Sequence, residues 1–425
     1  MLQANAVAAN DDLLSEDDIR NTLHEGLAGR FSGARVLALI PDRTRTLPLP
    51  LLFPMLVESL SDTRQLDFMV ALGTHPPLSQ AELCALVGLT PDQYQERYSH
   101  VKLLNHEWDN PGALTELGVI SDDQLRELCG PAWHHSLGGD VPVNLNRAVL
   151  DYDHVLIVGP CFPHEVVGIS GGAKYLFPGI SGPELINRFH WLGALITTMK
   201  IIGRKDTPVR DIIHQAAELV PTPLSLLALV VVGDGLAGMF IGDHIRAWDA
   251  AARLSQEKHI RLLDHPYPRV LSWCPPMYDE LWTGAKAMYK LEPAVADGGE
   301  LVIYAPHLDT ISVTHGRHIY EVGYHVLPWF LRDWSRYSDY PTSVIAHSTH
   351  VKGIGRVYEG VEEPRIQITL SSRISREDCE TLNLGYRDPA TLDLQQWRGR
   401  DDTLFVPKAG EILYRVRNDA SAGAG

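Results

Sequence analysis

The chain has 425 residues, 45% apolar and 21% charged, with a formal charge of −16; it is long for one core, so two domains are expected. The acidic balance and the lack of any Lys/Arg cluster argue against nucleic acid as the main partner, but leave room for small anions held by a few local cations. No window is apolar enough to span a bilayer, the acidic start MLQANAVAANDDLLSEDDIR lacks the pattern of a signal peptide, and five scattered cysteines without a CxxC pair read as reduced thiols, so a cytoplasmic protein is expected.

Residues 36–41, Val-Leu-Ala-Leu-Ile-Pro, read as a buried parallel strand that delivers Asp42, Arg43, Thr44 and Arg45 before an apolar helix from about Leu51 to Leu60. That cluster is either a helix cap with a surface ion pair or a clamp in which Arg45, a planar bidentate donor, holds a carboxylate. The next strand, Leu66 to Leu72, ends in Gly73-Thr74-His75, and a helix Ser79 to Val87 follows. His106 ends a third strand, where a structural role and a supporting one in a site are equally open, and residues 112–140 read as a polar, helical insertion. Strand-turn-helix units repeated in this way predict a mostly parallel, doubly wound sheet.

The stretch 160–191, PCFPHEVVGISGGAKYLFPGISGPELINRFHW, carries the most unusual chemistry. It follows the apolar run Val155 to Gly159, which places His164 just past the C-terminal end of a strand, where open α/β sheets put their sites. Lys174 comes ten residues later, through Gly168, Ser170, Gly171 and Gly172, and His190 sixteen after that. Glycines permit φ > 0 and close backbone approach, and a lysine beside them suits a phosphate, a carboxylate or covalent attachment of a cofactor. The spacing matches neither a Walker loop nor the dinucleotide fingerprint, so structural turn and ligand loop both stand. His190, in a helix opened by Pro183, reads on pattern alone as a helix-face histidine packed in the core.

A helix Val209 to Val220, a strand Leu226 to Val232 with a hairpin-like return through Met239 to Asp243, and a long helix from Ile245 to Leu263 complete the first domain, 1–262. Punctuation at His265 to Pro268 marks a junction, and a second α/β domain is expected over 275–375, with 376–425 as a segment that returns to the first. In it, a helix Tyr278 to Lys290 presents Trp282, Thr283 and Lys286 on one face. A strand Leu301 to Ala305 leads to His307, an amphipathic helix runs from His318 to Trp334, and a strand Ser343 to Ala346 leads to His347 and His350. Strands at Arg365 to Leu370 and within Asp401 to Val416 follow, and residues 418–425 are expected to be a disordered tail.

Strand ends thus present Arg45, His75, His164 and Lys174, and a helix presents His190. Two histidines with an arginine that holds a carboxylate suit proton transfer on a small acid. The C2 hydrogen of a 2-hydroxy acid is too weakly acidic for imidazole alone, so an electron sink is needed; a hydride acceptor is the natural one, with histidine taking the hydroxyl proton.

Asp42-Arg43-Thr44-Arg45, Gly73-Thr74-His75, His164-Glu165-Val166 with Ser170-Gly171-Gly172 and Lys174, Pro178-Gly179-Ile180, and His190 together resemble the lactate racemase family over nearly the whole chain. The resemblance implies a nickel-pincer nucleotide attached through Lys174, with His190 completing square-planar nickel coordination. It makes His75 and His164 the acid/base residues, one for each enantiomer. It places Asp42, Thr44, Ser170, Gly171 and Gly172 against the cofactor, and Arg45 and Lys286, with Trp282 and Thr283, against the substrate, in an active site at the interface of the two domains. Cofactor assembly would then depend on other proteins. Trp282 and Thr283 stand where a Tyr-Gln pair is expected, and with the 112–140 insertion they point to a substrate range not limited to lactate. His307, His315, His347 and His350 would enlarge a polar pocket suited to a longer or hydroxylated acid.

The expected activity is therefore an isomerase, a racemase or C2 epimerase of 2-hydroxy acids. A sugar-acid C2 epimerase is the alternative within the class, and a non-catalytic carboxylate-binding protein the alternative should no cofactor be installed. A zinc hydrolase needs three close protein ligands, and no HExxH or equivalent is present. The oligomeric state is left open.

Overall fold

The strand Arg35–Ile40 is buried along almost its whole length, and its side chains divide between two cores. Val36, Ala38 and Ile40 face the helices Glu16–Leu27 and Leu49–Ser59, while Leu37 and Leu39 join a second core with the helices Pro183–Ile196 and Pro208–Glu218. A strand covered on both faces needs no polar alternation, and this is why its sequence is a continuous apolar run.

The computed structural model describes residues 1–417; the tail expected at 418–425 lies outside the described residues. Seven strands form the large sheet, in the order Leu2–Val7, Gly235–Asp243, Leu224–Val232, His154–Pro160, Arg35–Ile40, Gln65–Val70, Leu103–Asn105. The last five are mutually parallel, and the first two add an antiparallel edge. A second sheet of five parallel strands runs Gly385–Tyr386, Gln367–Ser372, Val295–Ala305, Tyr267–Trp273, Thr403–Val406. Among the described residues no helix is long and apolar enough to cross a membrane.

Several elements differ from expectation. Residues 112–140 are not wholly helical: the strand Leu114–Ile120 pairs antiparallel with Val141–Asn146 around the helix Asp122–Cys129. The period-two burial of Val141, Val143 and Leu145 is the signal for it. The helix expected from Tyr278 to Lys290 is two single turns, Leu281–Gly284 and Lys286–Tyr289. That expected from His318 to Trp334 breaks into Gly316–Val322, Leu327–Leu331 and Trp334–Tyr337, interrupted by Gly323 at φ 70° and by Pro328. The strand expected at Ser343 to Ala346 is part of the helix Thr342–Lys352, whose residues from Ser343 onward are all buried. A helix buried all round shows no polar face, so its period is hidden.

The helix expected to reach Leu263 stops at His259, and Ile260–Leu263 forms a strand paired with Leu413–Val416. Among the described residues of the segment 376–425, the strands Gly385–Tyr386 and Thr403–Val406 join the five-stranded sheet, and Leu413–Val416 meets Ile260–Leu263 instead.

Candidate functional site

In the large sheet the chain moves outward from Arg35–Ile40 through Gln65–Val70 to Leu103–Asn105, then returns to the other side of Arg35–Ile40 with His154–Pro160. The strand order reverses between Arg35–Ile40 and His154–Pro160, and loops leaving such a reversal open a crevice at the strands' C-terminal ends. From these ends come Asp42 to Arg45 on one side and His164 to Lys174 on the other. Of these, Asp42, Arg45, His164, Ser170, Gly171 and Lys174 line a cavity of about 1020 Å³, its mouth included, together with His75, His190, Trp282, Thr283 and Lys286. Thr44 lies behind it in an adjoining compartment, and Gly172 packs against Trp248.

Both oxygens of Asp42 are taken within the chain. Oδ2 meets His75 Nδ1 at 2.5 Å, and Oδ1 accepts the Thr44 amide at 3.0 Å and its hydroxyl at 2.7 Å. Burial opposes the Asp42 charge, but the His75 ring, Arg45 and the Thr44 hydroxyl hold its carboxyl well below the usual range. A carboxylate so engaged takes Nδ1–H from the imidazole and leaves His75 Nε2 as a lone pair. His164 is oriented the other way. Its Nδ1 accepts the Val166 amide at 3.1 Å, so the neutral ring carries its proton on Nε2. Burial, reinforced by Lys174 and Arg45, holds His164 neutral far below 6.5.

The glycine loop is fixed from behind by groups that the motif does not contain. Arg210, fully buried in the helix Pro208–Glu218, donates to the carbonyls of Gly171, at 3.2 Å, and Ile169. Its guanidinium lies 4.1 Å from the Trp248 ring, whose Nε1–H donates to Ser170 O at 2.9 Å. Gly171, at φ 83°, and Gly172, at φ 62°, admit no side chain: a Cβ would come within 2.6 Å of Cys161 Sγ and 2.9 Å of Trp248. The loop presents Lys174, and burial together with Arg45 and Arg210 brings its amine down to about 7. His190 donates Nδ1–H to Ile186 O at 2.7 Å within its own helix, which leaves Nε2 as the nitrogen able to ligate.

The opposite wall comes from the chain after residue 275. Lys286 Nζ is buried without a hydrogen-bond partner, 4.5 Å from the Tyr278 ring, and burial beside Arg45 holds it well below its ordinary value. Trp282 packs on His315 and His347 at 4.3 and 4.2 Å between ring centroids. Of the histidines considered as pocket enlargers, these two back Trp282, whereas His307 binds Tyr278 O at 2.9 Å and His350 lines a separate cavity. His106 is fully buried, held between Ser181 O and Asn146, which makes it structural.

Motif reading missed Glu165, Tyr175, Arg210, Trp248 and Lys290. Glu165 is half-buried beside His164, its Oε2 3.5 Å from His164 Nδ1 and without a hydrogen bond, and it offsets the charge of Lys290. Arg210 has a legible signal, a cation between Val209 and Ile212 on an apolar helix face. Among the described residues no three His, Cys, Asp or Glu side chains group as a metal-binding cluster.

Comparison with known proteins agrees with this architecture. Residues 17–128 and 135–200 match the family described as the lactate racemase N-terminal domain. A crystal structure of a Thermotoga maritima protein superposes with a TM-score of 0.87 at 28% identity, covering 96% of this chain and 100% of that one. The lactate racemase apoprotein of Thermoanaerobacterium thermosaccharolyticum shares the fold, with a TM-score of 0.71 at 17% identity over 95% of this chain and 93% of that one. No curated protein matches the chain.

Proposed function

Since the chain carries the lactate racemase N-terminal domain and so belongs to the lactate racemase family, we propose that it is a racemase or C2 epimerase of a 2-hydroxy acid. The observation that carries this reading is the convergence of Lys174, His190, His75 and His164 on one cavity with Arg45 and Lys286. We place the active site between an N-terminal domain, 1–262, and a C-terminal one, 275–375.

The donor set suits the cofactor of that family. Lys174 offers an amine brought down to about 7, so about half unprotonated near neutrality, and His190 offers a free Nε2. The nickel-pincer nucleotide, held through Lys174 and His190, would supply a reversible acceptor for the C2 hydride. Its assembly would fall to other proteins.

Arg45 and Lys286 hold the substrate carboxylate: the buried Nζ of Lys286, which has no hydrogen-bond partner, gains an ion pair as the anion enters. His75 Nε2 takes the hydroxyl proton, and Asp42 stabilises the resulting imidazolium through Nδ1–H. His164 donates Nε2–H to the same oxygen. Here the geometry favours a division of labour over one acid/base histidine per enantiomer, because an imidazole whose Nδ1 already accepts an amide proton presents a donor on Nε2. The keto acid turns within the Arg45 and Lys286 clamp and so presents its other face, and once the hydride is restored at C2 with the opposite configuration, His75 returns the proton to the oxygen. Trp282, wedged against two histidines, and Thr283 bound the substituent on C2 and argue for an acid other than lactate.

The test is intact-mass spectrometry with nickel analysis on protein from a host that makes the cofactor, wild type against Lys174→Ala. A covalent nickel-bearing adduct lost in the variant supports the reading, and a 2-hydroxy-acid screen follows. An unmodified, nickel-free wild type removes it and leaves a carboxylate-binding protein.

A further inference from the structure

A second cavity, about 470 Å³ with its mouth, shares no lining residue with the first. Its polar lining includes Thr198, Glu292 and His350, and its apolar lining includes Leu327, Pro328 and Ile354. The three polar side chains are buried, at 3%, 0% and 4% exposure. Each also has an atom without a hydrogen-bond partner: Thr198 Oγ1, Glu292 Oε2 and His350 Nε2.

Buried polar atoms are nearly always partnered, so three orphans around one cavity call for a ligand. Their chemistry restricts it. Glu292 Oε1 already accepts the Ile354 amide at 2.8 Å; burial pushes the carboxyl up and Arg365, bonded to Glu292 O, works against this, so that Oε2 is an acceptor in the ionised form. His350 is bonded to the Gly193 backbone, and burial holds its ring neutral down to about 4, so Nε2 is an acceptor as well. The hydroxyl of Thr198 serves in either sense. A set weighted to acceptors beside a buried carboxyl repels anions and calls for several N–H donors on one small centre. The apolar residues call for a short hydrocarbon attached to it.

We propose that this cavity binds a short primary alkylammonium ion, its three N–H groups directed to Glu292 Oε2, His350 Nε2 and Thr198 Oγ1 and its alkyl chain lying on Leu327, Pro328 and Ile354. The site is independent of the proposed racemase activity.

The test uses the full chain at pH 7.5, with n-propylammonium as ligand and n-propanol and propyltrimethylammonium as controls, read by saturation-transfer NMR and calorimetry. Saturable binding of propylammonium alone, weakened at least tenfold by Glu292→Gln and by Thr198→Val, is the expected result; should Glu292→Gln not fold, Thr198→Val decides. Equal binding of all three probes, no binding of any, or affinity unchanged in the variants overturns the proposal. So does a Zn²⁺ or Ni²⁺ site at Glu292 in a chain that ignores the amine.

Discussion

Asp42 and His75 meet at 2.5 Å through Oδ2 and Nδ1, and this contact fixes which nitrogen of His75 faces the cavity as a base. Asp42→Asn preserves the shape but offers an amide N–H to Nδ1, which moves the ring proton to Nε2. Turnover of the cofactor-loaded enzyme should fall by about 10²–10⁴-fold, with KM changed far less. A loss below tenfold would mean that the contact is structural.

If His164 is a donor and not a base, an amide can replace it. His164→Gln should retain turnover within about tenfold, His164→Leu should lose about 10²-fold, and His75→Gln should be inactive. Nitrogen NMR of labelled apoprotein gives a reading independent of activity: His164 should show a protonated Nε2 and an unprotonated Nδ1 at pH 7. The opposite tautomer would restore the paired-base mechanism.

Lys174 should behave as an amine of unusually low basicity, near 7. Labelling of the apoprotein by a small acylating reagent, followed by peptide mapping, should give a rate at Lys174 that rises with pH through about 7 and then levels. Arg45 is one of the cations that depress it. Arg45→Leu should therefore shift the midpoint upward, since removing a like charge stabilises the protonated form.

The sequence makes the parallel sheet and most of this cavity legible because both rest on local signals. A buried parallel strand is a continuous apolar run, and the functional residue follows at its end, as Asp42 follows Ile40 and His164 follows Pro160. What is not legible depends on distant packing. Thr342–Lys352 is buried on every side, and this hides its helical period. The grip of Arg210 on the loop 39 residues earlier leaves no trace in spacing, and neither does the pairing of Ile260–Leu263 with Leu413–Val416. The opposite tautomers of His75 and His164 are likewise set by Asp42 and by a backbone amide, which residue type alone does not reveal.

Arg210→Leu keeps the apolar contact with Trp248 but leaves the Ile169 and Gly171 carbonyls without their donor. Each buried, unsatisfied group costs about 1–3 kcal/mol, so urea unfolding should show a loss of roughly 2–5 kcal/mol. Labelling at Lys174 should lose its low midpoint as the loop relaxes. Unchanged stability would show that water replaces the guanidinium freely.

Acid should unfold the protein early, through histidines buried in neutral form. His106, His315 and His350 are each brought by burial from 6.5 to about 4. The folded value lies below the unfolded one, so between these limits the unfolded chain binds more protons. Stability therefore falls as pH drops from about 6.5 to 4, by up to about 1.4 kcal/mol per unit for each histidine, and is unaffected by these groups above 6.5. His106 lies outside the cavity and isolates the effect. In His106→Gln, urea midpoints should be lower at pH 7, where the bonds to Ser181 O and Asn146 are disturbed, but should decline less steeply between pH 6.5 and 4. An identical slope in the variant would mean that His106 finds its proton without unfolding.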